Sequence, residues 1–550
     1  MSLPLRALRA LVLLAGFYLM GVVLLAVLGT VDWLLLAGLF SGRHSDRYGY
    51  CTGIVLIASL TLAVPVVRGM AVSLTAGRRA TTPPGLVVTE HEQPELWLLV
   101  RQSALDAGTE GPRQLVLTGE VNASVSEHSR LLGLLPGPRT LGIGVPLLAG
   151  LTEPRLRAVL AHEFGHFSHH DTRLTAVTVR AYTVMRTTVE AFRAGAADLA
   201  LTRLGRIQAV VGNLYAGYGR YVLRASESVA RQQEFAADRV AAERVGRDVT
   251  AGALRRLPLL DAAHTWYTDT WAGLGAPVGA LPPAGEVVGG FRRMLDARGE
   301  QGLVALAAGV RPPRPHPYDS HPPIPERVAA VEALAEAGPV DSPGAPAALS
   351  LLRGEAAVMV ALEPHVLSQG SPGLPRMPWP ELVLARAVAD AETESAPLRG
   401  AMERLRRSAA RDTRRDAAGT PAAAAAAEGP RSSEAEPTPP EAVGDELLAV
   451  LAAIDGGLLW TAVADRMPRP PQASRLTGAS ARNVLRPALW NALAGLILLR
   501  LVDAGLARPD TDWTGTPGVT LPEAWEKGMD EAVDAALADE PDTSALRALL

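Results

Sequence analysis

Two uncharged apolar runs constrain this chain more than any other feature. Ala10 to Val31 and Tyr48 to Val67 carry no charged side chain, and each is close to the roughly 20 residues a helix needs to cross a bilayer. Inside a bilayer only a helix satisfies its own backbone polar groups along such a run. The stretch between them, Gly42-Arg43-His44-Ser45-Asp46-Arg47, is short and polar, so residues 1–80 are expected to form a transmembrane hairpin. A cleavable signal peptide is the rival reading of the first run. It is disfavoured because the run is too long and no small-residue cleavage site precedes charged sequence. Arg6, Arg9, Arg68, Arg78 and Arg79 flank the outer ends of the pair, against Arg43 and Arg47 between them. That bias places both ends of the hairpin, and the domain that follows it, on the cytoplasmic side of the cell membrane.

Later apolar stretches read differently. Leu174 to Val189 carries Arg180 and Arg186, whereas Ile207 to Gly219 and Ala488 to Leu499 are uncharged but too short to span. Buried or amphipathic soluble helices account for all three.

At 550 residues the chain exceeds what one hydrophobic core organises. A net charge of -4 gives no basic field, which argues against nucleic acid as a partner. The single cysteine, Cys51, excludes an intramolecular disulfide, a cysteine-based zinc knuckle and a CxxC redox pair.

From Thr81 the pattern is mixed. Leu86-Val-Val-Thr, Gln114-Leu-Val-Leu-Thr, Val121-Asn-Ala-Ser-Val and Thr140-Leu-Gly-Ile-Gly-Val are strand candidates, Glu95 to Ala107 has helical spacing, and helices dominate after Thr152. The fold class is α+β, a small sheet followed by a mainly helical body, at 81–340. A helical extension is expected at 341–416. Residues 417–444 have the Ala-, Pro-, Gly-, Ser- and Glu-rich composition of a disordered linker. A small helical domain of no legible chemistry follows at 445–550.

Chemistry is concentrated in Thr152-Glu-Pro-Arg-Leu-Arg-Ala-Val-Leu-Ala-His162-Glu163-Phe-Gly-His166. Thr152 is a candidate N-cap, Glu153 suits the positive end of a helix and Pro154 fits a first turn. Leu156, Val159 and Leu160 then form an apolar face. Residues four apart stack on one helix face, so His162 and His166 can grip one metal ion while Glu163 reaches a water beside it. The competing reading is a chance pair of helix-face histidines. A third ligand decides between them. The metzincin pattern is excluded, because His169 and Thr172 stand where it needs Gly and His; His169 and His170 are expected at the surface or just behind the ligands. Glu234, in the alanine-rich segment Glu234-Phe-Ala-Ala-Asp238, is the better candidate. Asp238 lies one turn on, placed to accept an imidazole N–H from a metal-ligating histidine. The alternative for that segment is a solvated acidic face paired with Arg231 and Arg239.

With His321-Pro-Pro-Ile-Pro-Glu-Arg327 added, the motifs resemble the M48 family of membrane zinc metallopeptidases, a group that includes the HtpX heat-shock protease and the CAAX prenyl protease. The resemblance covers 81–335 and the preceding hairpin. It implies a gluzincin-type domain with one zinc ion on His162, His166 and Glu234, Glu163 as general base, and Asp238 behind the ligands. It also implies His321 and Arg327 as catalytic groups beside the cleft, and Asn122 and Ala123 as a substrate-binding element on an edge strand. From the residues alone, His321 before two prolines reads equally as a loop histidine. The chain departs from the family at Ser124, where an aromatic is usual, in a long insertion at 250–315, and in everything after Asp341.

The expected activity is hydrolysis of peptide bonds in polypeptide substrates, membrane-associated ones foremost, in a setting of membrane-protein quality control. A His2Glu set favours zinc over other divalent ions. Two other readings are a catalytically silent zinc-fold sensor or scaffold, against which the intact Glu163 argues, and an intramembrane protease. Arg155, Arg157 and the His169-His170-Asp171 run make the motif helix too polar for the second. Oligomeric state is not legible.

Overall fold

The computed structural model describes residues 3–40, 46–75, 83–127, 137–168, 172–199, 202–310, 322–335, 344–368, 370–418, 441–468 and 476–550. The chain divides into two compact units. One is Met1–Thr265 with Val288–Pro372; the other is Trp266–Val287 with Gly373–Leu550.

The first unit begins with two long helices, α1 (Leu3–Phe40) and α2 (Asp46–Thr75), which pack on each other. Within them Ala15–Phe40 and Tyr48–Ala71 are long and apolar enough to cross a membrane. The first is longer than its uncharged core suggested, because α1 continues through Asp32. The Asp32 carboxylate accepts a 2.8 Å hydrogen bond from the Ser59 hydroxyl of α2. That partner is what lets an acid sit in an apolar helix.

A four-stranded mixed sheet follows, formed by β1 (Leu86–Val88), β2 (Gln114–Thr118), β3 (Ala123–Glu127) and β4 (Arg139–Gly144) in the order β1-β2-β4-β3. The β1–β2 and β3–β4 pairs are antiparallel and β2–β4 is parallel. All four strand candidates read from the sequence are present, and β3 lies at an edge. The central strands are buried on both faces (Leu115, Val116, Leu117, Leu141 and Ile143), which is why they read as continuous apolar runs. α3 (Pro94–Asp106) buries Leu96, Trp97, Leu99 and Val100, and the Trp97 indole donates to the Val88 carbonyl.

From β4 the chain passes through α4 (Val145–Gly150) into the motif helix, α5 (Glu153–Ser168). The Thr152 carbonyl accepts the Leu156 N–H, but the Thr152 hydroxyl is buried and caps nothing among the described residues. The helix start was therefore correctly placed and the capping bond was not.

Two long helices then connect the apolar hairpin to the motif helix. α6 (Thr172–Asp198) and α7 (Arg203–Val245) pack on each other, and α6 also packs on α1 and α2. Phe17, Leu62, Val66, Met185, Phe192, Tyr215 and Val222 form the shared core of this bundle. Thr202 caps α7 by accepting the Gly205 N–H. With 43 residues, α7 is about 64 Å long. Its first half belongs to the bundle, where Ile207, Val210, Leu214 and Tyr221 face outward; its second half lies along α5. α8 (Arg247–Tyr267), α9 (Glu286–Gly309) and α10 (Ile324–Glu332) follow in the chain, and α11 (Glu355–Val366) packs on β1 and β2.

The second unit is built on α12 (Trp379–Ala418), α13 (Glu441–Asp455) and α14 (Gly478–Asp503). Leu398, Leu447, Leu451, Leu489, Leu493 and Leu496 share its core with Trp525 and Val533. α14 extends well beyond the uncharged stretch 488–499 and is long and apolar enough to cross a membrane. Half of its apolar window is buried within this core, and Arg486 pairs with Asp539. A hairpin not anticipated from the sequence, β5 (Arg508–Asp510) with β6 (Gly518–Thr520), precedes α15 (Glu523–Ala536) and α16 (Ser544–Leu549). Most of the expected linker, residues 419–440, lies outside the described residues.

Candidate metal centre

The site is made where α5 crosses the second half of α7. Gly165 makes that approach possible. A Cβ there would sit 3.2 Å from the Ala237 Cα and 3.3 Å from the Val240 Cβ, so a larger residue would push α7 outward by a few tenths of an ångström. The crossing brings His162 and His166 from one helix to Glu234 from the other, with all three ligand atoms within 4.8 Å of one another.

His162 Nε2 stands 3.6 Å from one Glu234 carboxylate oxygen, and His166 Nε2 stands 3.6 Å from the other. These gaps are too wide for hydrogen bonds. They fit donors around one cation, since zinc–ligand bonds of about 2.0–2.1 Å in a tetrahedron separate the ligands by roughly 3.3 Å. The donor set, two imidazoles and one carboxylate, is the one that leaves a position for water and substrate. The three residues therefore fit a zinc ion by chemistry and by spacing.

Behind the ligands lies a buried polar group. Asp238 Oδ1 is 2.9 Å from His162 Nδ1. Arg327 donates to both oxygens of the same carboxylate, at 2.6 and 2.9 Å. Asp238 and Arg327 are 2% and 6% exposed. Burial alone would raise the Asp238 pKa, but hydrogen bonds from Arg327 and His162 outweigh it and hold the carboxyl below the usual Asp value. Burial likewise works against the Arg327 charge, and Asp238 reverses the balance so that its pKa lies above the ordinary one. An ionised Asp238 accepts a hydrogen bond from Nδ1–H, which leaves the His162 Nε2 lone pair for the metal position. Arg327 also reaches within 3.6 Å of Glu234 Oε2.

A cleft of about 700 Å³ opens over this group. His162, Glu163, His166, Asp238 and Arg327 line it, with Val121, Asn122, Ala123 and Ser124 on the sheet side. Asn122 ends a turn at the start of β3: its carbonyl accepts the Gly144 N–H at 2.8 Å. A Cβ on Gly144 would lie 1.7 Å from the Glu120 carbonyl oxygen, so only glycine lets β4 close against that turn.

The site residues expected from the sequence thus gather at one place: His162, Glu163, His166, Glu234, Asp238, Arg327, Asn122 and Ala123. His321, His169 and His170 lie outside the described residues. Sequence reasoning missed the far wall of the cleft, which α8 supplies through Thr250, Ala253, Leu254, Leu257, Pro258 and Asp261. The signal was present, since these positions recur at three and four residues.

Residues 120–335 match peptidase family M48. The resemblance drawn from the motifs is thereby borne out, and the mainly helical domain with its small mixed sheet is consistent with that family. The chain is 25% identical over 321 residues to a protein named Protease HtpX from Xanthomonas oryzae pv. oryzae (strain PXO99A), covering 56% of this chain and 97% of that one. It is 27% identical over 257 residues to a Protease HtpX from Xanthomonas campestris pv. campestris (strain 8004), covering 45% and 75%. No solved structure matches. The family and these relatives support a membrane-associated protease. The residues after 335 lie beyond the matched family region.

Proposed function

We propose that this chain is a membrane-anchored, zinc-dependent endopeptidase whose general base is Glu163. The observation that carries the reading is the convergence of His162, His166 and Glu234 within 4.8 Å, with Glu163 in the same cleft.

A zinc ion on those three residues would supply Lewis-acid polarisation of the scissile carbonyl and acidification of the attacking water. The chain's own groups do the rest. Glu163 takes the proton from the attacking water and returns it to the leaving amine. Asp238 keeps His162 in the tautomer that presents Nε2. Arg327 holds Asp238 and so acts as a positioning residue. The strand β3, which begins beside Asn122 at Ala123 and lies at the edge of the sheet among the described residues, offers its outer backbone to an extended polypeptide. The apolar helices α1 and α2 tether the domain to the bilayer, and the arginine bias around them favours a cytoplasmic active site. Membrane-associated polypeptides are the substrates such a tether favours, as in membrane-protein quality control. His321 is the further catalytic group that the family resemblance implies.

The test is metal analysis of the purified protein alongside cleavage of a casein-type substrate. Wild type should carry one zinc per chain and cleave. Glu163→Gln should keep the zinc and lose roughly 10²-fold or more of the rate. Full activity in Glu163→Gln would overturn the mechanism.

A further inference from the structure

We infer that one stripe of α8 sets the cleavage preference, admitting an uncharged apolar side chain next to the scissile bond. This rests on the protease reading and names the substrate class for it. Thr250, Ala253, Leu254, Leu257, Pro258 and Asp261 all line the cleft, and their spacing puts them on one helix face. Beside them, Ala158 and Val159 of α5 also line it. Those two lie four residues before His162 and Glu163, one turn or about 6 Å along the helix axis. The apolar compartment therefore adjoins the ligand and the base directly.

Its walls are continuous with packed hydrophobic clusters. Ala158, Val249 and Ala253 pack together with Val159 against them. Leu254 packs with Val328 and Val331 of α10, with Leu257 and Ile324 partly buried at the same cluster. Thr250 brings the one hydroxyl on this wall, and that hydroxyl donates to the Gly246 carbonyl at 2.8 Å. The α8 wall thus has no ionisable group before Asp261, which is exposed at the outer end of the stripe. An acidic side chain seated against Leu254 and Leu257 would lose water and gain no partner on that wall, where Asp261 repels it. An aliphatic one would replace water with packing. The stripe lies in the segment between Glu234 and the His-Pro element.

Peptides identical except at the residues flanking the cut distinguish the outcomes. Wild type should favour Leu over Ala at one flanking position by roughly tenfold or more in kcat/KM, the scale of apolar pocket discrimination, and reject Asp there more strongly. Leu257→Ala enlarges the pocket and should move the optimum from Leu to Phe, a gain that a misfolded variant cannot imitate. The same peptides binding to zinc-loaded Glu163→Gln protein, followed by fluorescence anisotropy, should rank in the same order without turnover. Cleavage that depends on Glu163 but has a flat profile, or an unchanged optimum in Leu257→Ala, would overturn this inference and leave the protease reading intact. Zinc-loaded wild type that cleaves none of the peptides, or binding with no apolar preference, would count against the pair of readings and this one respectively.

Discussion

Asp238 stands 2.9 Å from His162 Nδ1 while receiving two hydrogen bonds from Arg327. One buried carboxylate therefore orients a metal ligand and is itself held by a cation 89 residues further along the chain. Asp238→Ala should leave all three ligands in place yet weaken zinc binding about 10–100-fold, the usual cost of losing such a partner. Competition with a chromophoric chelator measures it. Unchanged affinity would show that the tautomer is fixed by something else.

Arg327→Met asks the converse question. It leaves Asp238 buried with its charge unmatched, which costs about 3–5 kcal/mol in comparable buried pairs. Chemical denaturation of the full chain should show the loss. In Asp238→Asn/Arg327→Met the same carboxylate charge is gone, so part of the stability should return, as coupled sites require.

Gly165→Ala tests the helix crossing. The added methyl meets the α7 backbone at 3.2 to 3.4 Å, where no flexible side chain can give way. The expected result is a destabilisation of about 1–3 kcal/mol from overpacking. Zinc affinity should fall with it, because separating α7 from α5 draws Glu234 away from both imidazoles. A stable variant with unaltered zinc affinity would contradict the packing account.

These residues also mark how far the sequence could be read. The fixed spacing of His162, Glu163 and His166 was legible because a helix converts four residues into one turn. Glu234 and Asp238 were legible only through each other, one turn apart on a second helix. That Arg327 grips Asp238 was not visible, since no local periodicity links residues 89 apart. The central strands β2 and β4 appeared at their expected places because their buried runs are apolar, whereas the polar edge strand β3 begins two residues later than its candidate. The length of α1 beyond Val31 was hidden by Asp32, whose Ser59 partner lies on another helix. The α8 wall was missed for a different reason: its stripe looks like any core-facing helix until the cleft beside it is known.

Zinc itself should act as a ligand of the folded state. Adding it at about 100 times its dissociation constant should stabilise the site-bearing unit by about 2.7 kcal/mol. His166→Ala and Glu234→Ala should abolish that increment, whereas Glu163→Gln should retain it. Differential scanning calorimetry with and without zinc reads the shift. Retention of the full increment in Glu234→Ala would remove that carboxylate from the ligand set.

Stability should also respond to pH through His264 of α8. This imidazole meets the Phe291 ring edge-on at 5.1 Å between centroids. Burial lowers its pKa below the ordinary 6.5, and Asp261, one turn earlier, opposes that only in part. A depressed pKa means that the unfolded chain binds the proton more readily than the folded one. The stability associated with neutral His264 is therefore fully present above about pH 6.5 and is lost as pH falls toward the folded value. His264→Gln removes the titration. Melting temperatures measured from pH 8 to pH 5 should fall more steeply for wild type than for this variant, with the curves diverging below about pH 6.5. Parallel curves would place the His264 ring in water in both states and contradict its burial against Phe291.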